Sequence, residues 1–393
     1  MSLLIYGYAT GTFSSRKIER ATYDSLAFRY IACNLHPDHD TLAHFRQRFG
    51  EELQSIFVQV LQVARENQLS RFGTVSLDGT KIQASASRHS ALSYGHAEKL
   101  EAQLKAEVQE LFALAEQTDQ SRVPDGMNLP DELKRREDRL KAISAAKSKI
   151  EKRAQERFAQ EQAAYDAKMA LRAAKAKATG KKPNGKEPKP PQAGPRAKDQ
   201  INLTDEESRI MPISGGGFEQ SYNAQALVDT ESLLILVPRV SQACNDKQQL
   251  EPMLTRMQEF AQGEVLPEVL LADTGYFSEN NVKACLTTRI EPLIAVNREQ
   301  HHPHWRARFE EPSAPAEDAS AVEQMKYALK TRRGRAAYAL RKQTVEPVFG
   351  IIKSVMGFRQ FQLRGLKKVG YEWMLVCLAW NFKRMAVLRP SCV

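Results

Sequence analysis

Residues 72–83 read FGTVSLDGTKIQ. Apolar and polar side chains alternate along this stretch, and Thr74, Val75, Thr80 and Ile82 are β-branched. The pattern predicts a strand over Thr74–Ile82. The sequence on either side has a helical period, so the partners of this strand must come from far along the chain. Its one acid, Asp78, lies near its middle.

Before the strand, residues 1–72 predict short helices that make up an N-terminal helical domain. Ser14 and Ser15 precede the basic amphipathic stretch RKIERATYDSLAFRYIA (16–32), Asp40 can cap TLAHFRQRF (41–49), and helix follows over 51–68. Arg16, Lys17, Arg20, Arg46 and Arg48 fit a helix-turn-helix-like DNA-binding module. The plainer alternative is an ordinary helical packing domain.

After the strand and its flank (73–91), residues 92–178 turn helical and highly charged. Leu100, Leu104, Val108, Leu111 and Leu114 recur at helical spacing. VPDGMNLPDE (123–132) breaks the pattern, and LKRREDRLKAISAAKSKIEKRAQERF (133–158) resumes it. Two amphipathic helices around such a break predict an antiparallel helical hairpin. TGKKPNGKEPKPPQAGPRAKD (179–199) can bury no apolar area and predicts a disordered, basic, Pro-rich linker.

From residue 200 to 393 the pattern becomes α/β. SYNAQALVD (221–229) and SLLILVPRV (232–240) predict a β-hairpin, and KQQLEPMLTRMQEF (247–260) a helix. EVLLADTGY (268–276) is an apolar strand ending at Asp273, and Ser278 caps a helix over SENNVKACLTTR (278–289). EPLIAV (291–296) is a further strand, followed by a helix around Tyr338–Met356 and a terminal helix, YEWMLVCLAWNFKRMAVL (371–388). With the early strand counted first, the order is β-β-β-α-β-α-β-α. That is the order of the RNase H-like fold: a mixed sheet with flanking helices, here with the hairpin inserted between its first two strands.

In that fold the first strand is central and the fourth lies beside it. An acid within the first, one at the end of the fourth and one on the helix after the fifth can then converge. Asp78, Asp273 and Glu346 occupy those places. Two divalent ions held by such carboxylates can activate an attacking oxygen and stabilise the leaving oxygen of a phosphodiester. Magnesium suits a hard-oxygen set and keeps several waters. Taken singly, Asp78 and Asp273 read as turn residues and Glu346 as a solvated helix acid; the three in register on one topology reverse that balance. Lys353 falls seven residues after Glu346, about two helical turns, and Lys342 one turn before it. Cations flanking a carboxylate suit contacts to a DNA backbone. The ordinary alternative is an i,i+4 ion pair between Lys342 and Glu346.

Composition agrees with a polyanionic partner. The 393 residues hold 57 Lys and Arg against 47 Asp and Glu, a net charge of +10. Hydrophobic residues make up 42%, enough for a substantial core. The five cysteines are scattered and form no CxxC pair, which excludes a zinc ribbon and fits a reducing cytoplasm. No signal peptide and no membrane-length apolar run is visible. His36 and His39 (HPDHD), and His301, His302 and His304 (HHPHW), have no partners at a recognisable zinc spacing and read as loop residues.

Six stretches carry a family resemblance: LDGTKIQASAS (77–87), GGGFEQSYNAQALVD (215–229), LLADTGYFSE (270–279), RKQTVEPVFGIIKSVMGFRQFQLRGLKKV (341–369), and the N-terminal YGYATGTFSSRKIERA (6–21) and HPDHDTLAHFRQRF (36–49). They resemble the DDE transposases of bacterial insertion sequences. The resemblance implies metal binding by the three acids, through Mg²⁺ or Mn²⁺ and two ions. It also implies strand cleavage and strand transfer at terminal inverted repeats, a target DNA, and a homodimer on DNA in the cytoplasm at the nucleoid. Tyr338, Arg341, Glu346 and Lys353 resemble the family's Y-x2-R-x3-E-x6-K signature. Four residues, not three, separate Arg341 from Glu346, so Lys342 rivals Arg341 for the basic position. The resemblance begins almost at Met1, which leads us to expect a shortened reading frame lacking part of the DNA-binding domain. Two other readings stay open: a catalytically impaired or domesticated relative that only binds DNA, and a nuclease of the same fold.

Overall fold

A computed structural model describes residues 1–116, 128–180, 185–213, 215–261, 266–297, 310–316 and 318–388. They form two compact units, Met1–Ala86 with Glu207–Val393, and Ser87–Glu206.

The first unit opens with five helices: α1 (Ser2–Ala9), α2 (Ser15–Asp24), α3 (Leu26–Ile31), α4 (His39–Arg48) and α5 (Gly50–Glu66). The amphipathic stretch expected as one helix breaks at Ser25, which is extended. The cap of α4 is Asp38, whose carboxylate accepts the Asp40 N–H at 2.6 Å, so the helix starts before the expected Asp40. Strand β1 (Thr74–Gln83) follows.

Residues 87–206, the second unit, hold β2 (Ala91–Ser93), α6 (Tyr94–Glu116), α7 (Leu129–Thr179) and β3 (Gln200–Asn202). Ser93 pairs with Gln200 on an antiparallel ladder, so the two ends of this excursion meet. The helices run antiparallel, tied by Lys147–Glu101 and Arg136–Glu107, both 2.7 Å, and by Tyr94 Oη to Glu151 at 2.9 Å. A small core of Leu92, Ala97, Leu104, Ile143, Ala146, Ile150 and Ile201 lies between them. Helix α7 is 51 residues long; it starts four residues before 133 and runs on past 158 to Thr179, next to the end of the helical stretch expected over 92–178. Residues 185–199, where composition predicts a disordered linker, lie along α7 instead. Arg172 donates to the Gly185 carbonyl at 3.2 Å, Arg157 to the Gly194 carbonyl at 3.1 Å, and Arg157 clasps Asp199 at 2.8 Å. The arginines of α7 supply what an apolar face does not.

The first unit resumes with β4 (Arg209–Pro212), β5 (Phe218–Asp229), β6 (Ile235–Ser241), α8 (Leu250–Ala261), β7 (Val269–Ala272), α9 (Glu279–Thr287), β8 (Glu291–Ile294), α10 (Ala321–Lys330), α11 (Arg332–Gly350) and α12 (Leu366–Leu388). The six-stranded mixed sheet has β1 at its centre. β5 lies antiparallel on one side of β1, β7 parallel on the other, β8 outside β7, and β6 and β4 outside β5. Helices cover it, giving a mixed α/β architecture consistent with an RNase H-like DDE domain. β7 reads VLLA and is buried at every position, as a parallel strand covered on both faces must be. Helix α12 is apolar nearly all round because it is enclosed in the core. Its Asn381 accepts the Ile235 N–H and donates to the Ile235 carbonyl, both at 2.8 Å, which satisfies backbone on edge strand β6. Among the described residues no helix is long and apolar enough to cross a membrane.

The N-terminal helices share this core, and a buried polar chain ties them to α12. Arg46 donates to Tyr8 Oη at 2.8 Å, Tyr8 donates to Glu372 at 2.9 Å, and Glu372 accepts the N–H groups of Gln362 and Leu363, both at 2.9 Å. Arg46, 6% exposed, is therefore a packing residue and not the DNA contact its sequence position suggests. Arg16, Lys17, Arg20 and Arg48 stay exposed. Removing a member of such a chain strands its buried partners. Tyr8→Phe is expected to lower the unfolding free energy by about 1–3 kcal/mol in urea titration. A loss under about 0.5 kcal/mol would show that the chain is not cooperative.

Candidate active site

The register of β1 against β7 builds the centre of the site. Leu77 pairs with Ala272 in the parallel ladder, so the next residues, Asp78 and Asp273, lie side by side at the end of β7. Asp78 accepts the Gly79 N–H at 2.7 Å, and Asp273 caps a 3-10 turn by accepting the Gly275 N–H at 2.8 Å. Burial pushes the Asp78 carboxyl up to about 6; the neighbouring Asp273 adds to this, while the Gly79 N–H and Arg341 oppose it.

Helix α11 carries the third acid expected from the sequence, Glu346. Its cap is Thr331, which accepts the Gly334 N–H at 3.0 Å, and a Cβ at Gly334 would fall 1.8 Å from the Ala328 carbonyl oxygen. Only glycine lets α11 start so close to α10. Tyr338 then donates to the Ala272 carbonyl at 3.2 Å, immediately before Asp273. Arg341 is 12% exposed and sits between two carboxylates, 3.9 Å from Asp78 and 3.7 Å from Glu346. Lys342, its rival in the sequence, is exposed.

The expected single helix over Tyr338–Met356 does not continue straight. It is α-helical to Gly350 and then widens into a π turn, Ile351–Val355, closed by the Met356 N–H on the Ile351 carbonyl at 2.9 Å. Pro347, inside α11, has no N–H to donate. The wide turn changes the direction of Lys353 from that of an uninterrupted helix. Its ammonium is half-buried and donates to Thr80 Oγ1 and to the Lys81 carbonyl at 3.0 Å, two and three residues beyond Asp78. Burial and the nearby Lys81 lower its pKa.

A second polar cluster lies beside the carboxylates. Asp246 accepts from Asn223 and Gln225, both at 2.7 Å, and faces the Lys81 ammonium at 3.7 Å. Tyr276 donates to Gln225, and burial followed by the charges of Asp246, Asp78 and Asp273 raises its pKa well above the ordinary value. A Cβ at Gly79 would lie 2.1 Å from Gln225 Nε2, so glycine makes room for this cluster. The sequence reading assigned no role to Asp246, Asn223, Gln225, Tyr276 or Lys81. The available signal was two amide side chains, Asn223 and Gln225, alternating with Ala224 and Ala226 along β5.

Asp78, Asp273 and Glu346 offer only carboxylate oxygen, a donor set suited to a hard divalent cation, but their oxygens do not all lie within 4.8 Å of one another. Glu346 is reached through the Arg341 guanidinium. Among the described residues, the only three metal-type donors within 4.8 Å of one another are Glu19, Asp38 and His39. His39 Nδ1 lies 2.8 Å from Glu19, whose place on α2 no local spacing could reveal. That group is the hydrogen-bonded start of α4, with Asp38 as its cap. His36, also read as a loop residue, stacks on Tyr23. His301, His302 and His304 lie outside the described residues.

Two family models match the chain. One, described as Transposase DDE domain, matches residues 189–382 and spans Asp273, Glu346 and their neighbours. The other, described as Transposase domain (DUF772), matches residues 1–48. Neither a curated protein nor a solved structure matches it. The two models together match more than half of the chain, and it belongs to the DDE transposases of insertion sequences.

Proposed function

We propose that this chain cleaves DNA at insertion-sequence ends and transfers the freed strand to a target, with Asp78, Asp273 and Glu346 holding divalent metal. The observation that carries this is the side-by-side placement of Asp78 and Asp273 on neighbouring parallel strands, with Glu346 tied to Asp78 through one guanidinium. The strand order, with β1 central and β7 beside it, supports an RNase H-like catalytic domain. Family membership implies a nucleic-acid-cleaving enzyme that acts on DNA.

Bound Mg²⁺ or Mn²⁺, as a pair of ions, would activate an attacking oxygen and stabilise the leaving oxygen. The chain's own groups prepare the site. Asp78 must shed its proton to serve as a ligand, and Arg341 favours that form. Tyr338 fixes α11 against the end of β7, which sets Arg341 and Glu346 relative to Asp273. Arg341 and Lys353 offer cations to the phosphates flanking the scissile bond, and exposed Lys342 offers a third. Arg16, Lys17 and Arg20 of α2 and Arg48 of α4 are further exposed cations that DNA could meet. A homodimer on paired ends, held at the nucleoid, belongs to the same reading.

The test is incubation of the protein with plasmid carrying the element's own terminal repeats, with and without Mg²⁺. Metal-dependent nicking followed by a joined product is the expected result. Nicking without joining would point to a nuclease; tight binding with no nicking at all would overturn the enzyme reading in favour of a DNA-binding relative.

A further inference from the structure

Away from the carboxylates, an open cleft of about 630 Å³ lies at the β6 edge of the first unit, walled by α5, β6, α8 and α12. Arg239 of β6 and Arg256 of α8 both line it. Both are partly buried, and burial lowers the pKa of each. The charge of Arg239 also disfavours the charged form of Arg256. Among the described residues neither forms an ion pair. Arg239 donates to the neutral Gln249 at 2.7 Å. Arg256 stacks at 5.0 Å over the Phe260 ring, and its buried Nε has no hydrogen-bond partner.

The other charges in the cleft do not compensate. Glu51 is 79% exposed and paired to Lys367 at 3.2 Å. Glu259 is exposed; it attracts Arg256 but makes no contact with it within ion-pair distance. Two desolvated guanidiniums that repel each other are costly unless an anion completes them. Guanidinium forks match the geometry of phosphate oxygens.

We propose that Arg239 and Arg256 form a phosphate-binding site, separate from the carboxylate cluster, whose ligand is the backbone of a DNA segment. The +10 charge of the chain favours that source over a free phosphate ion, which has the same chemistry. Gln225 pairs with Gly79 on one side and with Arg239 on the other, so Arg239 stands two strands across the sheet from Gly79. DNA held here would be a second contact beyond the strand at the carboxylates.

The test compares the full chain with its Arg239→Gln/Arg256→Gln double variant. The first arm is thermal unfolding in sodium phosphate against sodium chloride of equal ionic strength. Wild type should gain about 2–4 °C in phosphate and the variant should lose that gain, while melting no lower in chloride because a repulsion has gone. The second arm is binding of duplex DNA over a range of salt, where the slope of log K against log salt should fall by about two units in the variant. A fall in slope assigns the site to the DNA backbone; a lost phosphate gain with an unchanged slope assigns it to a free phosphate ion. If neither the phosphate gain nor the slope differs between the two proteins, the site is overturned. Should the double variant fail to fold, each single variant carries the same test with a slope change of about one. The phosphate arm involves no cleavage, so its failure and failure of the catalytic reading are separate results.

Discussion

Asp78→Asn is expected to abolish metal-dependent cleavage, by at least ~10³-fold, while making the metal-free protein more stable. On the proposed reading, the loss follows from removing a metal ligand worth several kcal/mol to the transition state. The gain follows from the state of the carboxyl. Asp78 is 20% exposed beside Asp273, and its pKa is raised to about 6 from an ordinary 3.8. Between those values the folded chain holds a proton that the unfolded chain has released. Stability therefore falls as pH rises through the window from about 4 to 6, and the cost persists above it. At most it amounts to about 3 kcal/mol, from 1.36 kcal/mol per pKa unit. An amide has no such charge yet still accepts the Gly79 N–H. The variant should melt above wild type at pH 8, with the difference closing below about pH 4. Mg²⁺ should raise the wild-type midpoint at pH 8, less so below pH 6, and leave the variant nearly unmoved. A variant with the wild-type metal response would remove Asp78 from the site.

The sequence made such residues visible where a periodic pattern met a buried surface. β1 alternates because one central strand presents different faces to different helices, and β7 is continuously apolar because it is covered on both. Ser278 was readable as a cap since its hydroxyl accepts an N–H only three residues away, that of Asn281. What escaped depends on distance in sequence or on very short elements. β2, β3 and β4 have three or four residues, too few to display a period. Asp246 lies in a loop, and its meaning comes from Asn223 and Gln225 on a strand more than twenty positions earlier. Arg46 looks like any surface cation of an amphipathic helix until Tyr8 and Glu372, at opposite ends of the chain, close over it. The π turn after Gly350 left no periodic trace either. Seven residues mean two turns only while the helix stays α, so the facing of Lys353 could not be read from spacing.

Glu346→Gln should abolish cleavage, again by ~10³-fold or more, while DNA binding is kept or tightened. The carboxylate is 54% exposed and turned toward Arg341 at 3.7 Å. Removing its charge takes away a repulsion against phosphate and releases one side of the guanidinium. Lys353→Ala should behave differently. Phosphate carries no base information, so binding should weaken equally on every sequence, and the slope of log K against log salt should fall by about one. Because the Lys353 ammonium also ties the π turn to Thr80 and Lys81 of β1, this variant should lose thermal stability as well. Filter binding over a salt series and a nicking assay on the same preparations separate the two roles. If Glu346→Gln still cleaved with metal, another acid would have to supply the third oxygen. Glu323 is poorly placed for that, since its carboxylate is held in the capping box with Ser320 at the start of α10. Asp246 would be the next to replace, because it already acts on the pKa of Asp78 and lies in the adjoining polar cluster.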